Sequence, residues 1–208
     1  MKRRINVAVL ASGRGSNFEA LAEACLDETF PAAVILLIVD NPDAGALRIA
    51  ERMGVESVVI DCGPQRGSMS PESSGRMHAI CTERGIDLVC LAGFMRIVKG
   101  KLLESYGGRM LNIHPALLPS FKGLHGQRQA VEYGVKFSGC TVHFVDAGVD
   151  TGPIIVQHVV PVRPDDDEES LGARILREEH TAYPEAVRLF AEGRLRIEGR
   201  TVHVLNGS

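Results

Sequence analysis

The sequence predicts an α/β fold: an open, mostly parallel twisted sheet with helices on both faces, and antiparallel strands toward the C-terminal half. Short apolar runs alternate with helix-like stretches through the first two thirds of the chain, which is typical of strand–helix–strand units around a parallel sheet. Such runs suit strands that are covered on both faces. Further along, two strand-like runs flank a glycine-rich turn and predict a hairpin.

The first part of the chain contains four predicted strands and three predicted helices. The strands span residues 5–10, 34–39, 58–60 and 88–91, and the helices span residues 17–26, 44–53 and 74–84. Asn41, Pro42 and Asp43 form a turn that leads into the second helix. Gly85 follows the third helix, at the position where a helix C-cap is expected.

The next part begins with a short predicted strand at residues 110–113. A long irregular loop follows over residues 114–125, and loops of this kind in compact domains are usually functional. Alternating polarity predicts a strand at residues 138–145, and a second strand follows at residues 154–162. The glycine-rich turn at residues 146–153 connects the two strands of the predicted hairpin.

The last part of the chain predicts a long helix and a small hairpin. Acidic residues 165–169 open a helix over residues 170–192, since anions are stabilised at helix N-termini. Pro184 predicts a kink or a break in this helix. Weak alternation over residues 195–205 predicts the hairpin. Because no repeat or linker divides the sequence, residues 1–208 are expected to form one domain.

The composition excludes several classes of function. The chain has 23 Lys and Arg against 26 Asp and Glu, a formal net charge of −3, whereas a protein that mainly binds nucleic acid needs a basic face. The longest apolar run, residues 32–39, is far shorter than the roughly 20 residues that cross a bilayer. The N-terminus is unlike a secretory signal, so a cytoplasmic protein is expected. Five cysteines without a Cys-x-x-Cys pair predict buried thiols.

A glycine-containing loop follows the first strand and opens the first helix. Residues 12–17 read Ser-Gly-Arg-Gly-Ser-Asn, a placement that directs backbone N–H groups at an anion such as a phosphate. A dinucleotide site is the main rival, supported by Asp40 at the end of the second strand. Phe18 stands where that fingerprint needs a small residue, which favours a single phosphate. A plain strand-to-helix turn is the remaining interpretation.

Polar residues at the end of the strand at residues 110–113 are the strongest candidates for catalysis. Asn112 and His114 are two positions apart, so both side chains point to one face. Asp150 lies on a second glycine-rich loop. An Asn, a His and an Asp together can stabilise an oxyanion and transfer a proton, with the carboxylate expected to raise the imidazole pKa. The alternative is a structural His beside a turn-capping Asn.

Other side chains suggest no metal and no serine nucleophile. The remaining histidines have no His-x-x-x-His spacing, and the serines have no Gly-x-Ser-x-Gly motif. His143 is expected to fill an alternating strand position. Phe94 and Met95 follow Gly93 at the C-terminal end of a strand, where ligands bind in open α/β sheets, although a core position explains them equally well.

Five motifs in order resemble the phosphoribosylglycinamide formyltransferase family over nearly the whole chain. They are residues 12–17, Leu91-Ala92-Gly93-Phe94-Met95-Arg96-Ile97, residues 111–119 (Leu-Asn-Ile-His-Pro-Ala-Leu-Leu-Pro), Val142-His143-Phe144-Val145 with Asp150-Thr151-Gly152-Pro153-Ile154, and residues 179–184 (Glu-His-Thr-Ala-Tyr-Pro). The resemblance implies a Rossmann-like formyltransferase fold. It also implies transfer of a formyl group from 10-formyltetrahydrofolate, the cosubstrate, to the amine of glycinamide ribonucleotide in purine biosynthesis, without a metal.

The resemblance also implies roles for individual residues. His114 would be the catalytic acid and base, Asn112 would stabilise the oxyanion, and Asp150 would tune His114. The ribonucleotide would bind in the N-terminal half, and folate binding and catalysis would lie in the C-terminal half. The implied substrate-binding residues are Gly15, Ser16, Asn17 and Glu179, and the implied folate-binding residues are Met95, Arg96, Ile97, Val98, Asn112, Asp146, Ala147, Gly148, Val149 and Asp150.

Two segments depart from the family's pattern. The family usually has an arginine followed by an aromatic and acidic stretch before the third helix, where this chain has residues 67–72, Gly-Ser-Met-Ser-Pro-Glu, with Arg66 and Arg76 as candidate replacements. The family's Gly-Leu-His-Thr-His is here Gly-Leu-His-Gly-Gln, so Gly126 and Gln127 replace a hydroxyl and an imidazole. These departures affect contacts to folate and to the substrate.

Several alternatives remain open from the sequence. A formyltetrahydrofolate deformylase would use water in the same site, although that family has an extra N-terminal domain and the first strand here begins at Ile5. Another amine as acceptor, a nucleotide-binding module and a dinucleotide oxidoreductase are further candidates. The expected partners are small-molecule substrates, not nucleic acid or membrane. The sequence leaves open a monomer or a homodimer.

Overall fold

The computed structural model describes residues 3–63, 65 and 67–206. The strands are β1 (Ile5–Ala11), β2 (Ala32–Val39), β3 (Glu56–Val59), β4 (Leu88–Leu91), β5 (Met110–His114), β6 (Phe137–Phe144), β7 (Ile154–Pro161), β8 (Leu195–Glu198) and β9 (Thr201–Val204). The helices are α1 (Ser16–Ala24), α2 (Ala46–Met53), α3 (Pro71–Glu83), α4 (Gly100–Ser105), α5 (Gly126–Tyr133) and α6 (Glu168–Ala191).

The strands confirm the predicted α/β fold. Seven strands form one sheet in the order β3-β2-β1-β4-β5-β6-β7. The pairs β1–β2, β1–β4 and β2–β3 are parallel, whereas β6 and β7 form the predicted antiparallel hairpin. The predicted terminal hairpin is present as β8 and β9. The described residues divide into two compact units, one ending at Leu111 and one beginning at Asn112, and the expectation of one domain stays a prediction.

The first unit is built around central strands that contain few polar residues. Residues 7–11 of β1 and the second half of β2 are completely buried, as are Phe18 and Leu21 of α1. Each fully buried Leu, Ile or Phe side chain contributes roughly 1.5–3 kcal/mol through the hydrophobic effect. The apolar runs that predicted these strands therefore form the core that holds the loops after β1 and β4 in place.

The second unit packs the long helix α6 against the hairpin of β6 and β7. Its N-terminus has a capping box: the Asp167 carboxylate accepts from Ser170 N at 2.8 Å, and the Ser170 hydroxyl accepts from Asp167 N at 3.0 Å. The predicted acidic helix start is confirmed. The prediction of a break at Pro184 is wrong, because α6 continues to Ala191. The helix buries residues on both sides of the proline, among them Tyr183 and Val187.

Two helices were not predicted, α4 and α5. Both are short, and each begins at a glycine, so neither contains enough turns to show a repeating helical pattern of apolar residues. The irregular loop predicted over residues 114–125 is present and lies between β5 and α5. Among the described residues, no helix is both long enough and apolar enough to cross a membrane.

Candidate active site

Asn112 and His114 are at the C-terminal end of β5, and Asp150 is on the loop that connects β6 to β7. The i, i+2 spacing places the first two side chains on one face of the strand, as predicted. The loop returns toward β6 through Gly152, where an added Cβ would lie 1.8 Å from the carbonyl oxygen of Phe144. Only glycine permits this approach, which sets the position of Asp150 beside the strand.

The Asp150 carboxylate connects the three predicted residues. Its Oδ2 accepts a hydrogen bond from Gly123 N at 2.8 Å and lies 3.3 Å from Nδ1 of His114. Its Oδ1 accepts from Nδ2 of Asn112 at 3.4 Å and lies 3.6 Å from Nε2 of His143. The structure therefore brings Asn112, His114 and Asp150 together in the second unit, and adds a second histidine.

The electrostatics of His114 differ from the expectation. Its side chain is only 4% exposed, and burial lowers the imidazole pKa. The Asp150 carboxylate and the carbonyl of Phe121, 2.8 Å from Nε2, act in the opposite direction, but their sum is smaller. The expected net rise of the pKa is therefore wrong. The sequence could not give the sign, because it shows the carboxylate but not the depth of burial.

Asp150 has the opposite balance and stays ionised. Burial raises its pKa, but the contact with the His143 ring and the hydrogen bond from the backbone N–H of Gly123 lower it by more, with help from the charges on both imidazoles when these are protonated. The net pKa lies below the ordinary value of an aspartate. A negative carboxylate thus stays beside an imidazole that favours its neutral form.

His143 is the residue of this cluster that the sequence did not predict. It occupies a buried position of β6, so its expected place in the strand is confirmed. Its Nδ1 lies 2.7 Å from the Phe144 carbonyl oxygen, and its Nε2 lies 3.1 Å from Nδ2 of Asn112. The available signal was an ionisable residue at the buried end of an alternating strand, directly before the loop that contains Asp150.

A cavity of about 300 Å³ opens onto Asp150 in the second unit. Its walls include the apolar side chains of Leu118 and Ile154, with Lys122 and Arg200 contributing positive charge. Arg200, from the turn between β8 and β9, donates to the carbonyl oxygen of Thr151 at 3.0 Å. The terminal hairpin thus supports the loop that contains the carboxylate.

The loop that contains Asp150 is shaped by Asp146. One oxygen of its carboxylate accepts from Gly148 N at 3.0 Å and from the Thr151 hydroxyl at 2.5 Å. Ala147, Gly148 and Val149 are exposed at the tip. Of the predicted folate-binding residues here, Asp146 organises the loop itself, and the three tip residues present backbone and apolar surface.

In the first unit, the glycine loop joins β1 to α1 as predicted. Gly15 has a φ of 86° and no side chain caps α1 there, so the first turn of the helix begins without a side-chain acceptor at its N-cap. A Cβ on Gly15 would lie 2.7 Å from Cα of Ala46, which explains the glycine. Ser12 is structural, since its hydroxyl accepts from Met95 N at 2.8 Å.

The segment after β4 contains Met95, Arg96, Ile97 and Val98. The backbone N–H of Met95 is bound by Ser12, and that of Ile97 donates to Gly67 O at 2.9 Å. Met95 is half exposed, whereas Val98 is buried. The backbone N–H groups of Met95 and Ile97 are thus hydrogen-bonded within the protein. Folate contacts from the segment remain a prediction.

Arg96 and Asp40 form an ion pair, with Nε 2.6 Å from Oδ2. Arg96 also donates to the Gln65 carbonyl oxygen at 2.9 Å, so it fixes the segment after β4 to the connection between β3 and α3. Asp40 is bound to an arginine, which disfavours the dinucleotide interpretation, since that site needs this carboxylate for a ribose. Arg76 lies exposed on α3, and Arg66 lies outside the described residues.

Two further findings concern Glu179 and metals. Glu179 lies on α6 and is buried. Within the part of the chain that the structure describes, no group of three or more His, Cys, Asp and Glu side chains is arranged to hold a metal ion.

Comparison with known proteins places this chain in a family. A family model described as formyl transferase matches residues 5–187. The crystal structure of glycinamide ribonucleotide transformylase 1 from Symbiobacterium toebii superposes with a TM-score of 0.93 at 50% identity, covering 98% of this chain and 95% of that chain. Phosphoribosylglycinamide formyltransferase from Escherichia coli (strain K12) is 37% identical over 195 residues, covering 93% of this chain and 90% of that protein.

A longer relative contains the same unit. The trifunctional purine biosynthetic protein adenosine-3 of Drosophila melanogaster is 46% identical over 196 residues, which are 92% of this chain and 14% of that protein. The chain thus spans a small part of the length of this relative, and nearly the full length of the bacterial one. The chain is an enzyme that belongs to the formyl transferase family and, within it, to the phosphoribosylglycinamide formyltransferases.

Proposed function

We propose that this chain transfers a formyl group from 10-formyltetrahydrofolate to the amine of glycinamide ribonucleotide, a step of purine biosynthesis. The relatives whose lengths match are named for formylation of this ribonucleotide. The observation that supports the chemistry most directly is the cluster of Asn112, His114 and Asp150 around one ionised carboxylate.

The reaction needs a base, an acid and an oxyanion donor. The amine attacks the formyl carbon, which forms a carbon–nitrogen bond and a tetrahedral oxyanion. Collapse of this intermediate breaks the bond between the formyl carbon and the folate nitrogen. The proton lost by the amine passes through His114 to that nitrogen, so the step needs no external acid or base. Asn112 donates its amide N–H to the oxyanion.

The pKa shifts suit these roles. Because burial lowers the pKa of His114, the ring is neutral at physiological pH and can accept the amine proton. Asp150 keeps its negative charge and stabilises the imidazolium that forms. Burial thus keeps His114 unprotonated before the amine attacks, and the Asp150 carboxylate stabilises the protonated ring that the attack produces.

We propose separate binding roles for the remaining residues. Gly15, Ser16 and Asn17 bind the phosphate of the ribonucleotide, supported by the helix start at Gly15 that lacks a side-chain cap. Glu179 binds its sugar or amine side. The residues that contribute to folate binding are Met95, Arg96, Ile97 and Val98, and residues 146–150 together with Asn112. Exposed apolar side chains at Met95 and Val149 suit an aromatic ring system.

The assay follows the consumption of 10-formyltetrahydrofolate by absorbance, with and without glycinamide ribonucleotide. We expect turnover only when the ribonucleotide is present, and a loss of about 10²–10⁴-fold in His114→Ala. Turnover without it would establish the deformylase alternative. A folate that binds but does not react in either sample would indicate a different amine as acceptor. Near-full turnover in His114→Ala would contradict the role of His114.

A further inference from the structure

His143 is bound on both ring nitrogens, yet it is outside the proposed reacting groups. Its Nδ1 lies 2.7 Å from the Phe144 carbonyl oxygen, which can only accept a hydrogen bond. The proton of the neutral ring is therefore on Nδ1, and Nε2 has a free lone pair. That lone pair faces Nδ2 of Asn112 at 3.1 Å, so His143 accepts a hydrogen bond from the amide.

These contacts allow Asn112 a single amide orientation. Its nitrogen faces Nε2 of His143 on one side and Oδ1 of Asp150, at 3.4 Å, on the other. In the reversed orientation the amide oxygen would face a lone pair and a carboxylate, and both contacts would become repulsive. Two acceptors thus determine which end of the amide is the donor.

The two hydrogen bonds of the Asn112 amide differ in strength. The bond to His143 has ordinary length, whereas the bond to Asp150 is longer than the usual 2.7–3.2 Å range for N–H···O bonds, so it is the weaker one. The N–H that faces Asp150 is accordingly the one that can move to a new acceptor while the other N–H stays bound to His143.

We infer that His143 is a positioning residue that acts through Asn112. By accepting one N–H, it fixes the amide so that the second N–H is directed to the developing oxyanion. The inference rests on the proposed function, because that oxyanion forms only in formyl transfer. A residue of β6 thus helps to orient the oxyanion donor, while His114 transfers the proton and Asp150 stabilises the imidazolium.

The burial of His143 supports this role over simple core filling. Its side chain is 3% exposed, and burying an imidazole is unfavourable unless its polar atoms are paired. Most neighbouring side chains of β6 are small or apolar, and an apolar residue would fill the position without that penalty. An apolar residue could make neither the hydrogen bond to the Phe144 carbonyl oxygen nor the one from Asn112, and only the second of these reaches a proposed reacting group.

The tautomer is tested first, on the whole protein labelled with ¹⁵N-histidine. Long-range ¹H–¹⁵N spectra at neutral pH, with the His143 signals assigned by their loss in His143→Gln, report which ring nitrogen is protonated. We expect a protonated Nδ1 and an unprotonated Nε2. A protonated Nε2 with a bare Nδ1 would overturn the inference. Because this spectrum requires no turnover, it tests the contact between His143 and Asn112 independently of the proposed function.

Kinetics then test the action through Asn112. We expect His143→Leu to lower kcat by about 10- to 100-fold, part of the loss seen when an oxyanion donor is removed, with KM changed less than about threefold. His143→Gln, which can place an amide oxygen near the Nε2 position, should recover most of kcat. Val142→Ala, at a neighbouring buried position, is the control for a weakened strand and should leave kcat unchanged.

A double-mutant cycle separates positioning from a structural effect. In the Asn112→Ala background, His143→Leu should cause little further loss of kcat, because the residue through which it acts is gone. An equal loss in both backgrounds, or a kcat for His143→Leu as high as that of the unmodified chain, would overturn the inference. Absence of formyl transfer by the unmodified protein would contradict the proposed function instead, and the ring spectrum would still test the contact.

Discussion

Asp150 combines two unfavourable conditions at a single residue. Its carboxylate is 11% exposed, and its φ of 51° is in the left-handed region, which aspartate tolerates better than most residues but which is still strained. Contacts to Gly123, Asn112 and the two imidazoles offset both. Strained residues held by several contacts are typical of functional sites. The position therefore depends on the charge of the side chain more than on its volume.

Replacing this charge is the first prediction at the residue scale. Asp150→Asn keeps the size and tolerance of the left-handed backbone but removes the counterion of His114. We expect turnover to fall by about 10²–10⁴-fold while the protein remains folded, measured by the same folate assay and by circular dichroism. Asp165→Asn, which neutralises an exposed carboxylate before α6, is the matched control and should stay fully active. Activity close to normal in Asp150→Asn would disprove the role of the charge.

The pKa of His114 predicts a pH dependence of stability. Burial lowers this pKa from its ordinary value of 6.5, so the unfolded chain binds a proton that the folded chain resists. The free energy of unfolding should therefore fall as the pH drops below 6.5, until the lowered pKa of the folded state is reached, and should be insensitive to His114 at higher pH.

Urea unfolding at a series of pH values measures this effect. The slope of the unfolding free energy against pH below 6.5 should be smaller in His114→Gln than in the unmodified chain. Equal slopes would mean that the folded and unfolded states bind this proton equally. The effect of Asp150 is separate, because its lowered pKa acts below the ordinary aspartate value of 3.8, where stability is lost as the carboxylate is protonated.

At the scale of elements, the turn into α1 is a tightly constrained connection. Gly15 has a positive φ and lies against α2, so an alanine there would be strained and would also collide with Ala46. We expect Gly15→Ala to lower the unfolding free energy by about 1–3 kcal/mol, and to raise KM for the ribonucleotide because the turn that is proposed to bind the phosphate shifts.

Gly13 offers the control for this prediction within the same loop. A Cβ built on Gly13 meets nothing within 4 Å, so Gly13→Ala should leave the unfolding free energy within about 0.5 kcal/mol of the original. Thermal and urea unfolding of the two variants compare them directly. Equal stability of both variants would show that the approach of α1 to α2 is looser than the contact distances indicate.

Elements differed in how well the sequence predicted them, for physical reasons. β1 and β2 were predicted because apolar runs of that length can only be buried, and the hairpin of β6 and β7 because its turn is rich in glycine. α5 was missed because eight residues that begin at a glycine are too few to show a repeating helical pattern of apolar residues. The break at Pro184 was wrong because packing around Tyr183 and Val187 stabilises α6 across the proline.

The candidate site was predictable in its members but not in its electrostatics. Asn112, His114 and Asp150 could be found because their spacing on a strand end and a loop is a local property of the sequence. The contact of His143 with Asn112 joins two strands, and the lowered pKa of His114 depends on how deeply the fold buries it. Both are properties of tertiary packing, which no local pattern records.

At the scale of the whole molecule, the cysteines report on the integrity of the fold. All five are free and buried, which confirms the prediction of buried thiols, and burial raises the pKa of Cys81 and of Cys140 to about 12. Protonated, inaccessible thiols react slowly. We expect close to none of the five to react rapidly with a thiol reagent in the native protein and all five to react in denaturant. A rapidly reacting thiol in the native state would reveal local opening.

The proposed catalytic cluster is made entirely of residues that follow Leu111, whereas the proposed phosphate loop precedes α1. Evolution can therefore alter the two under independent selection. Substitutions confined to the proposed phosphate loop could retarget the enzyme to another phosphorylated amine without changing Asn112, His114 or Asp150. For protein engineering, libraries restricted to residues 13–17 would explore new acceptors while also leaving intact the segment after β4 that is proposed to bind folate.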